Sequence, residues 1–496
     1  MEEAEYLAFD FGASSARAIA GKLGKKLELR EIYRFQTGGR EILGSLYWDV
    51  LKFYDEVKKA LKIQAQHNSP KSIGFDSWGV DFVLLDKSGN LVCNPYHYRD
   101  KRTDGIMDLA FEKVPRGRIF NITGLQFMQI NSLFQLYSMK VGNSPQLEVT
   151  DKLLMIADYF NYLFTKKILC EYTNASTTQL LDLKTRKWSD ELINKFDFEP
   201  TIFPEIIQPA SNIGNVVDSV ADETGIGRKV MVIAPATHDT ASAIASIPTT
   251  EKNFIYISSG TWALMGTELS APNTSEKALK FNFTNEGGIF GTIRFLKNII
   301  GFWLLQECKR IWENQYCEEL RYSALTKEAM DEDIKPFSYL IYPDHPSFLN
   351  PPDMTEAIKN YCTNTGQEAP KKRGEICRCI LESLAFRYRE VFDYLIDIFG
   401  NKYKNLYIVG GGAQNSVLSQ FTANICDLNV KAGPVEATAI GNLLLQAYGL
   451  GEIDSLKDLR NIVKSSVEIR EYKPENKSLW EEGFNKYQNL IENFRY

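Results

Sequence analysis

No run of about eighteen apolar residues occurs in this chain, so a membrane-spanning helix is not predicted. Histidine is scarce, four in 496 residues, and no two of them form an HExxH pair. The eight cysteines include no CxxC. Cys377 and Cys379 stand two apart in "ICRCIL", on a predicted helix where that spacing turns them to different faces. They read as structural thiols rather than zinc ligands. A dedicated histidine–cysteine metal cage and a histidine-based nucleophile relay therefore find no support in the spacing. Neither GxGxxG nor GxxxxGK[ST] is present, which removes the motifs of Rossmann and P-loop nucleotide sites. A basic surplus is missing too. The net charge of −6 argues against a nucleic-acid partner. It does not argue against a small nucleotide, which backbone N–H groups, hydroxyls, one Arg or Lys and a divalent cation can hold. The start, "MEEAEYLAFD", is acidic and enters a strand-like run at once, unlike a secretory leader. A cytoplasmic protein without membrane or nucleic-acid partners is the expectation.

What is present is ordinary globular composition, 44% hydrophobic and 12% aromatic. A chain of 496 residues is too long for one core, so two or more domains are expected. "YLAFDF", "ARAIAGKL" and "LELREIYRF" predict a three-strand meander with Gly-bearing turns. "LKFYDEVKKALKIQAQ" predicts a helix with Leu51, Tyr54, Val57 and Leu61 on one face. "KSIGFDSWGVDFVLLDKSGNLV" predicts two strands about an Asp-Lys-Ser-Gly-Asn turn, and the span from Phe111 to Trp188 reads as mostly helical. Near Val230 the plan starts again. "VMVIAPATHDTASAIAS" reads as strand, polar corner, small-residue helix, and "NFIYISSGTWALMGTEL" as strand, Gly-Ser turn, strand. "RCILESLAFRYREVFDYLIDIFG" predicts a helix stopped by Gly400. "NLYIVGGGAQNSVLSQFTANICD" and "NVKAGPVEATAIGNLLLQAYGLG" each predict strand then helix, and "SLWEEGFNKYQNLIENFRY" an amphipathic helix. The recurrence of the hairpin about half a chain later suggests two related α/β domains, residues 1–245 and 246–496. With no low-complexity linker between them, they are expected to share a cleft.

Four places can carry chemistry. In "DFGASSAR", Gly12 is expected to open backbone angles closed to other residues, so that N–H groups converge on an anion. Ser14 and Ser15 add donors, Arg17 a planar cation, and Asp10 a carboxylate able to stand behind magnesium through waters. A tight turn with a solvated acid is the competing reading. "ISSGTWALMG" repeats the corner with Ser258, Ser259, Gly260 and Thr261 but without charge; alone such a window is more often just a turn, and the pairing with the first corner is what gives it weight. Gly410, Gly411 and Gly412 end a strand before a helix, where a flat ligand can lie on bare backbone or the strand and helix can simply pack tightly. In "THDTASA", Asp239 follows a buried strand, as a helix N-cap or as a base for an attacking hydroxyl. His238 is either a hydrogen-bond partner for a substrate oxygen or a buried histidine. Trp78 offers an apolar wall and Gly79 a close backbone approach. Asn298, placed near a helix start, and Gln306, two turns on, are amides suited to a neutral polyol.

In order, "DFGASSAR", "WGVDFVLLD", "YRDKRTDGIM", "HDTASA", "SSGTWALMG", "TNEGG", "LKNIIGFWLLQ" and "GPVEATAIGN" resemble the FGGY carbohydrate kinases. That family lies within the sugar kinase, heat-shock ATPase and actin superfamily. The resemblance implies an α/β fold of two related, ribonuclease H-like domains with the active site between them. It implies transfer of the ATP γ-phosphate to the 1-hydroxyl of L-rhamnulose, with Mg2+. Carried over, Asp239 is the proton acceptor, and Ala13, Ser14, Ser15, Ala16 and Arg17 form the first phosphate loop. Thr261, Gln306, Gly410 and Gly411 contact the nucleotide, and Gly79, His238, Thr240 and Asn298 contact the sugar. Ala16 stands where the family often has glycine, and a positive φ there would strain the loop. Two other readings stay open: a kinase for L-fuculose or xylulose, and a nucleotide-driven binding protein without a base.

Overall fold

Tyr6, Leu7, Ala8, Phe9 and Phe11 leave the first segment no polar face, and it becomes a strand buried on both sides. The structure, a computed structural model, describes residues 4–492. In chain order the elements used below are β1 (Ala4–Phe11), β2 (Ser15–Leu23), β3 (Leu27–Gln36), α1 (Val50–Ala65), β4 (Ser72–Ser77), β5 (Ser211–Asn215), β6 (Met231–Ala234) and α2 (Asp239–Ala245). There follow β7 (Ile255–Ser259), β8 (Trp262–Leu269), β9 (Thr284–Gly287), β10 (Ile293–Ile300), α3 (Trp303–Tyr316) and α4 (Arg373–Phe399). The last are β11 (Asn405–Val409), α5 (Ser416–Cys426), β12 (Asn429–Ala432), α6 (Ala437–Gly449), β13 (Arg470–Tyr472) and α7 (Lys477–Glu492). They form two compact units. The first holds the chain through Thr250 with Glu268–Leu296 and Ala437–Val467. The second holds Glu251–Thr267, Lys297–Glu436 and the chain from Glu468 on.

The first unit is built on a mixed sheet of order β5-β6-β4-β1-β2-β3. The predicted meander is β1–β3, paired antiparallel, while β4 runs parallel to β1 and β6 parallel to β4. Phe9 stacks on Phe75 at 5.0 Å, and Phe11 on Phe160 at 4.5 Å. Ile440, Leu443 and Leu444 of α6 join Ala4, Tyr6, Ala8 and Ile19 in one buried cluster. Full burial of each such aliphatic side chain is worth about 1.5–3 kcal/mol. Close packing requires small residues. A Cβ on Gly441 would lie 1.8 Å from the Ser242 carbonyl oxygen, so α6 and α2 touch backbone to backbone. In α1 the buried face is Val50, Phe53, Val57, Ala60 and Leu61, whereas Leu51 is 57% exposed. The expected face is therefore rotated, because Phe53, not Leu51, reaches Phe11 and Phe35. The Asp-Lys-Ser-Gly-Asn turn also differs from expectation. Phe82–Leu85 pairs with Lys152–Met155, and a single bridge, Leu85 to Leu91, crosses the turn.

In the second unit β8-β7-β11-β12-β13 are consecutive strands of one sheet. β7 and β8 are antiparallel, β7, β11 and β12 are parallel neighbours, and β13 closes the edge antiparallel. The β11–α5–β12 crossover supplies the parallel step. Helix α4 ends at Gly400, whose φ of 77° only glycine adopts freely. The amphipathic α7 buries Trp480, Phe484 and Tyr487, with Trp480 4.7 Å from Phe421 and 5.6 Å from Phe386. The remainder of the predicted terminal helix, 493–496, and the opening 1–3 lie outside the described residues. Among the described residues no helix is long and apolar enough to cross a membrane.

Candidate active site

The turn from β1 to β2 is shaped by space rather than by unusual dihedrals. Gly12 has no positive φ, contrary to expectation; a Cβ there would lie 2.8 Å from the Ser15 carbonyl oxygen. That carbonyl accepts the Gly12 N–H at 3.1 Å. Thr37 pins the corner twice, its N–H donating to Ser14 O at 3.2 Å and its hydroxyl to Gly12 O at 2.6 Å. Among the described residues the N–H groups of Ala13 and Ser14 donate to no other protein group. Ser15 and Ala16 already belong to β2, with Ala16 between Phe11 and Phe35 and without a positive φ. Alanine is thus unstrained there. Asp10 and Arg17 face each other across the β1–β2 pair, and Arg17 Nη2 donates to Asp10 Oδ2 at 2.6 Å.

Beside Asp10, in register on the parallel strand, stands the fully buried Asp76. Asn442 Nδ2 donates to its Oδ2 at 2.5 Å, while its Oδ1 has no partner among the described residues. Burial holds the Asp76 carboxyl well above the usual range, and the charges of Asp10 and Asp239 add to this. Asn442 is itself held by Gln446 at 2.6 Å, and Gln446 by Ser72 at 2.7 Å. Among the described residues no three His, Cys, Asp or Glu side chains form a group that could hold a metal ion directly. The available donors, Asp10 and Asp76 Oδ1, are hard carboxylate oxygens, the kind magnesium takes while keeping its waters.

Asp239 opens α2, and His238 rather than Asp239 is the N-cap. The Asp239 side chain is 29% exposed, and Thr240 N–H donates to its Oδ1 at 2.5 Å. Burial raises its pKa; a charged His238 would pull it back, and the Asp10 charge pushes it up. The preceding corner is tied down by a wholly buried carboxylate, Glu171. Glu171 accepts Thr237 N–H and Oγ1 at 2.9 Å each and Thr173 N–H at 2.9 Å. Thr173 Oγ1 in turn accepts the His238 N–H at 3.2 Å. Arg294 and Glu286, partners across the β9–β10 hairpin, close on the imidazole.

Gly79 joins this network. A Cβ would strike Thr177 Oγ1 at 2.8 Å, and the same hydroxyl accepts Val80 N–H at 3.0 Å. Thr177 donates to Asn174 O at 2.8 Å, and Asn174 Nδ2 to Thr237 O at 3.3 Å. Trp78 is buried against Trp48, ring centroids 4.1 Å apart, and both indole N–H groups donate to Asp81. Burial pushes the Asp81 carboxyl up to about 6.

In the second unit Thr261 and Gln306 meet, Thr261 Oγ1 donating to Gln306 Oε1 at 3.1 Å. The corner rests on the start of α3: Phe302 N–H donates to Gly260 O at 3.0 Å and Trp303 N–H to Thr261 O at 3.1 Å. The triple glycine continues β11, parallel to β7, so both corners lie past the carboxyl ends of parallel strands. Gly410 has φ 84°, and a Cβ would lie 3.0 Å from Ser259 O. At Gly412 a Cβ would lie 2.0 Å from Ser259 Oγ, whereas at Gly411 it would meet nothing within 4 Å. Asn298 lies in strand β10, not on the helix expected of it, because helical hydrogen bonding starts only after Gly301.

Asp10, residues 13–17, Gly79 and His238–Thr240 therefore belong to the first unit, and Thr261, Asn298, Gln306, Gly410 and Gly411 to the second. Sequence reasoning missed Asp76, Glu171, Glu286, Arg294 and Asn442. One signal was available: Glu286 and Arg294 are charges inside apolar strand patterns, which must be paired when buried.

Residues 5–245 match the FGGY family of carbohydrate kinases, N-terminal domain, and residues 255–450 its C-terminal domain. A "Rhamnulokinase" of Bacteroides thetaiotaomicron is 42% identical over 488 residues, 98% of this chain and 99% of that one. One of Halalkalibacterium halodurans is 41% identical over 94% of this chain and 98% of its own length. Among solved structures, gluconate kinase from Lactobacillus acidophilus superposes with TM-score 0.81 at 16% identity, covering 99% of this chain and 98% of that one. Ligand-bound xylulose kinase from the same organism gives 0.80 at 16% identity with the same coverage. Two such domains in sequence, spanning most of the residues, make this chain a member of the FGGY family of carbohydrate kinases.

Proposed function

We propose that this chain transfers the γ-phosphate of ATP to the 1-hydroxyl of L-rhamnulose. The observation that carries this is the 42% identity, over 98% of the chain, to a protein named "Rhamnulokinase". Asp239 is the general base. It is partly open to solvent, its carboxyl sits above the usual range, and its position at the head of a short helix is fixed through Thr237 and Glu171. The sugar oxygen attacks the γ-phosphorus, the bond to the bridging oxygen breaks with its electron pair leaving on ADP, and the hydroxyl proton goes to Asp239. Ala13 and Ser14 N–H groups, the hydroxyls of Ser14 and Ser15, and Arg17 receive phosphate oxygens, Arg17 exchanging its bond to Asp10. Thr261, Gln306, Gly410 and Gly411 receive the nucleotide, and Gly79, His238, Thr240 and Asn298 the sugar. Asp10, with Asp76 beside it, would hold Mg2+ through waters; when bound, the ion offsets phosphate charge.

A ketose panel with ATP and magnesium tests the reading. L-Rhamnulose is expected to give the highest kcat/KM. A higher value for L-fuculose or xylulose replaces the substrate, and no phosphorylation of any ketose removes the activity.

A further inference from the structure

Three groups meet the His238 ring. Arg294 Nη2 lies 2.9 Å from Nδ1, Glu286 Oε2 lies 3.3 Å from the same nitrogen, and Asp239 Oδ1 lies 3.5 Å from Nε2. The guanidinium is fixed independently: Arg294 Nε donates to Gly287 O at 2.8 Å, and Nη1 is 3.0 Å from Glu286 Oε2. Arg294 is 1% and Glu286 4% exposed, so neither relaxes into water. A guanidinium has donors and no acceptor. At 2.9 Å the imidazole must therefore present its Nδ1 lone pair, and the neutral ring carries its one proton on Nε2. An Nδ1–H aimed at Glu286 would set two donors against each other at Arg294, whose Nη2 is the nearer partner of that nitrogen, 2.9 Å against 3.3 Å, and the Glu286 oxygen is ion-paired with Arg294 Nη1 at 3.0 Å.

We propose that Arg294 and Glu286 are positioning residues that lock His238 as its Nε2–H tautomer, leaving Asp239 as the sole acceptor of the sugar hydroxyl's proton. The consequence for Asp239 rests on the proposed kinase reading. A ring already protonated at Nε2 takes no further proton at that atom. It donates instead, to a lone pair of a substrate oxygen beside the Asp239 carboxylate. His238 thus discriminates between two oxygens of one sugar: one that accepts from the ring, and one that gives its proton to Asp239. The buried arginine prevents a second base from competing at the same place.

With four histidines in the chain, 15N-histidine labelling of the full-length protein separates every imidazole by nitrogen shift, and His238→Gln assigns its signals. His238 is expected to show a bare Nδ1 and a protonated Nε2. Arg294→Met is expected to move protonation onto Nδ1 and to lower kcat on the order of tenfold, the worth of one charge-assisted hydrogen bond, with the ATP KM unchanged. A protonated Nδ1 in the unsubstituted protein overturns the proposal, whether or not the variant folds. So does a folded Arg294→Met protein with the tautomer unmoved. The nitrogen shifts need no turnover, so the lock stands or falls separately from Asp239 as base, which Asp239→Asn tests.

Discussion

The two units use the same strand plan to make corners of opposite character. In each, an antiparallel hairpin leads into two parallel neighbours, β2-β1-β4-β6 in the first unit and β8-β7-β11-β12 in the second. The β1–β2 corner is electrically loaded, with Asp10 bonded to Arg17, in register with Asp76, and acting on Asp239. The β7–β8 corner holds only hydroxyls, an amide and bare glycine backbone. Shared topology fixes where a ligand can approach. The difference in charge assigns bond-making chemistry to one corner and neutral cradling to the other.

The sharpest way to break that division is Asp239→Asn. Loss of a general base typically costs ~10²–10⁴-fold, so kcat for the ketose is expected to fall by that much with ATP affinity little changed. Asp239→Asn with nearly full phosphorylation would move the chemistry elsewhere and leave the charged corner without its role.

Next in size is a packing contrast inside the second unit. Gly412→Ala sets a methyl 2.0 Å from Ser259 Oγ and 2.7 Å from Phe302, forcing both away. Overpacking of this kind costs about 1–3 kcal/mol, read as a lower urea midpoint. Gly411→Ala meets nothing within 4 Å and should leave the midpoint unchanged while raising the ATP KM roughly fivefold, about 1 kcal/mol. If Gly411→Ala leaves the KM untouched, the open face of the triple glycine binds no nucleotide.

These contrasts mark what could be read from residues alone. Both hairpins, the strand after Val230 and the long helix closed by Gly400 were legible, because apolar period and turn chemistry are local properties. Asp10, Asp239 and the glycine corners were legible as candidates, since acids and glycines at strand ends are conspicuous. What escaped depends on tertiary return. α6 comes back from late in the chain to bring Asn442 to Asp76, and no window around either residue reports the other. Glu171 looked like any acid in a mixed segment until Thr237 and Thr173 closed on it. Gly12 was chosen for the wrong reason: its φ is ordinary, and only the folded turn reveals the carbonyl that excludes a side chain. Asn298 was misplaced because the apolar run through Ile300 fits a strand and a helix start equally well.

A smaller effect sharpens the neutral corner. Gln306→Ala removes the acceptor of the Thr261 hydroxyl and is expected to raise the ATP KM about tenfold, near the 1.4 kcal/mol of one good hydrogen bond. The ketose KM and kcat should hold, since nothing in that corner carries charge. A fall in kcat matching the change in KM would give Thr261 and Gln306 a part in the transition state.

The smallest expected change is a displacement along the pH axis. Burial raises the Asp239 pKa and the Asp10 charge raises it further, so the acid limb of kcat/KM for the ketose should lie above the ordinary aspartate value of about 3.9. The sign follows from the role: below its pKa Asp239 is protonated and cannot accept, so activity climbs as pH rises through the limb. Asp10→Asn removes a like charge and should move the limb to lower pH, however much it lowers the maximum rate. Thr261→Val, in the uncharged corner, should leave the limb where it is. Profiles that shift equally in both variants, or in neither, would mean that Asp10 does not set the proton affinity of Asp239, and the electrical contrast between the corners would have no bearing on the chemistry.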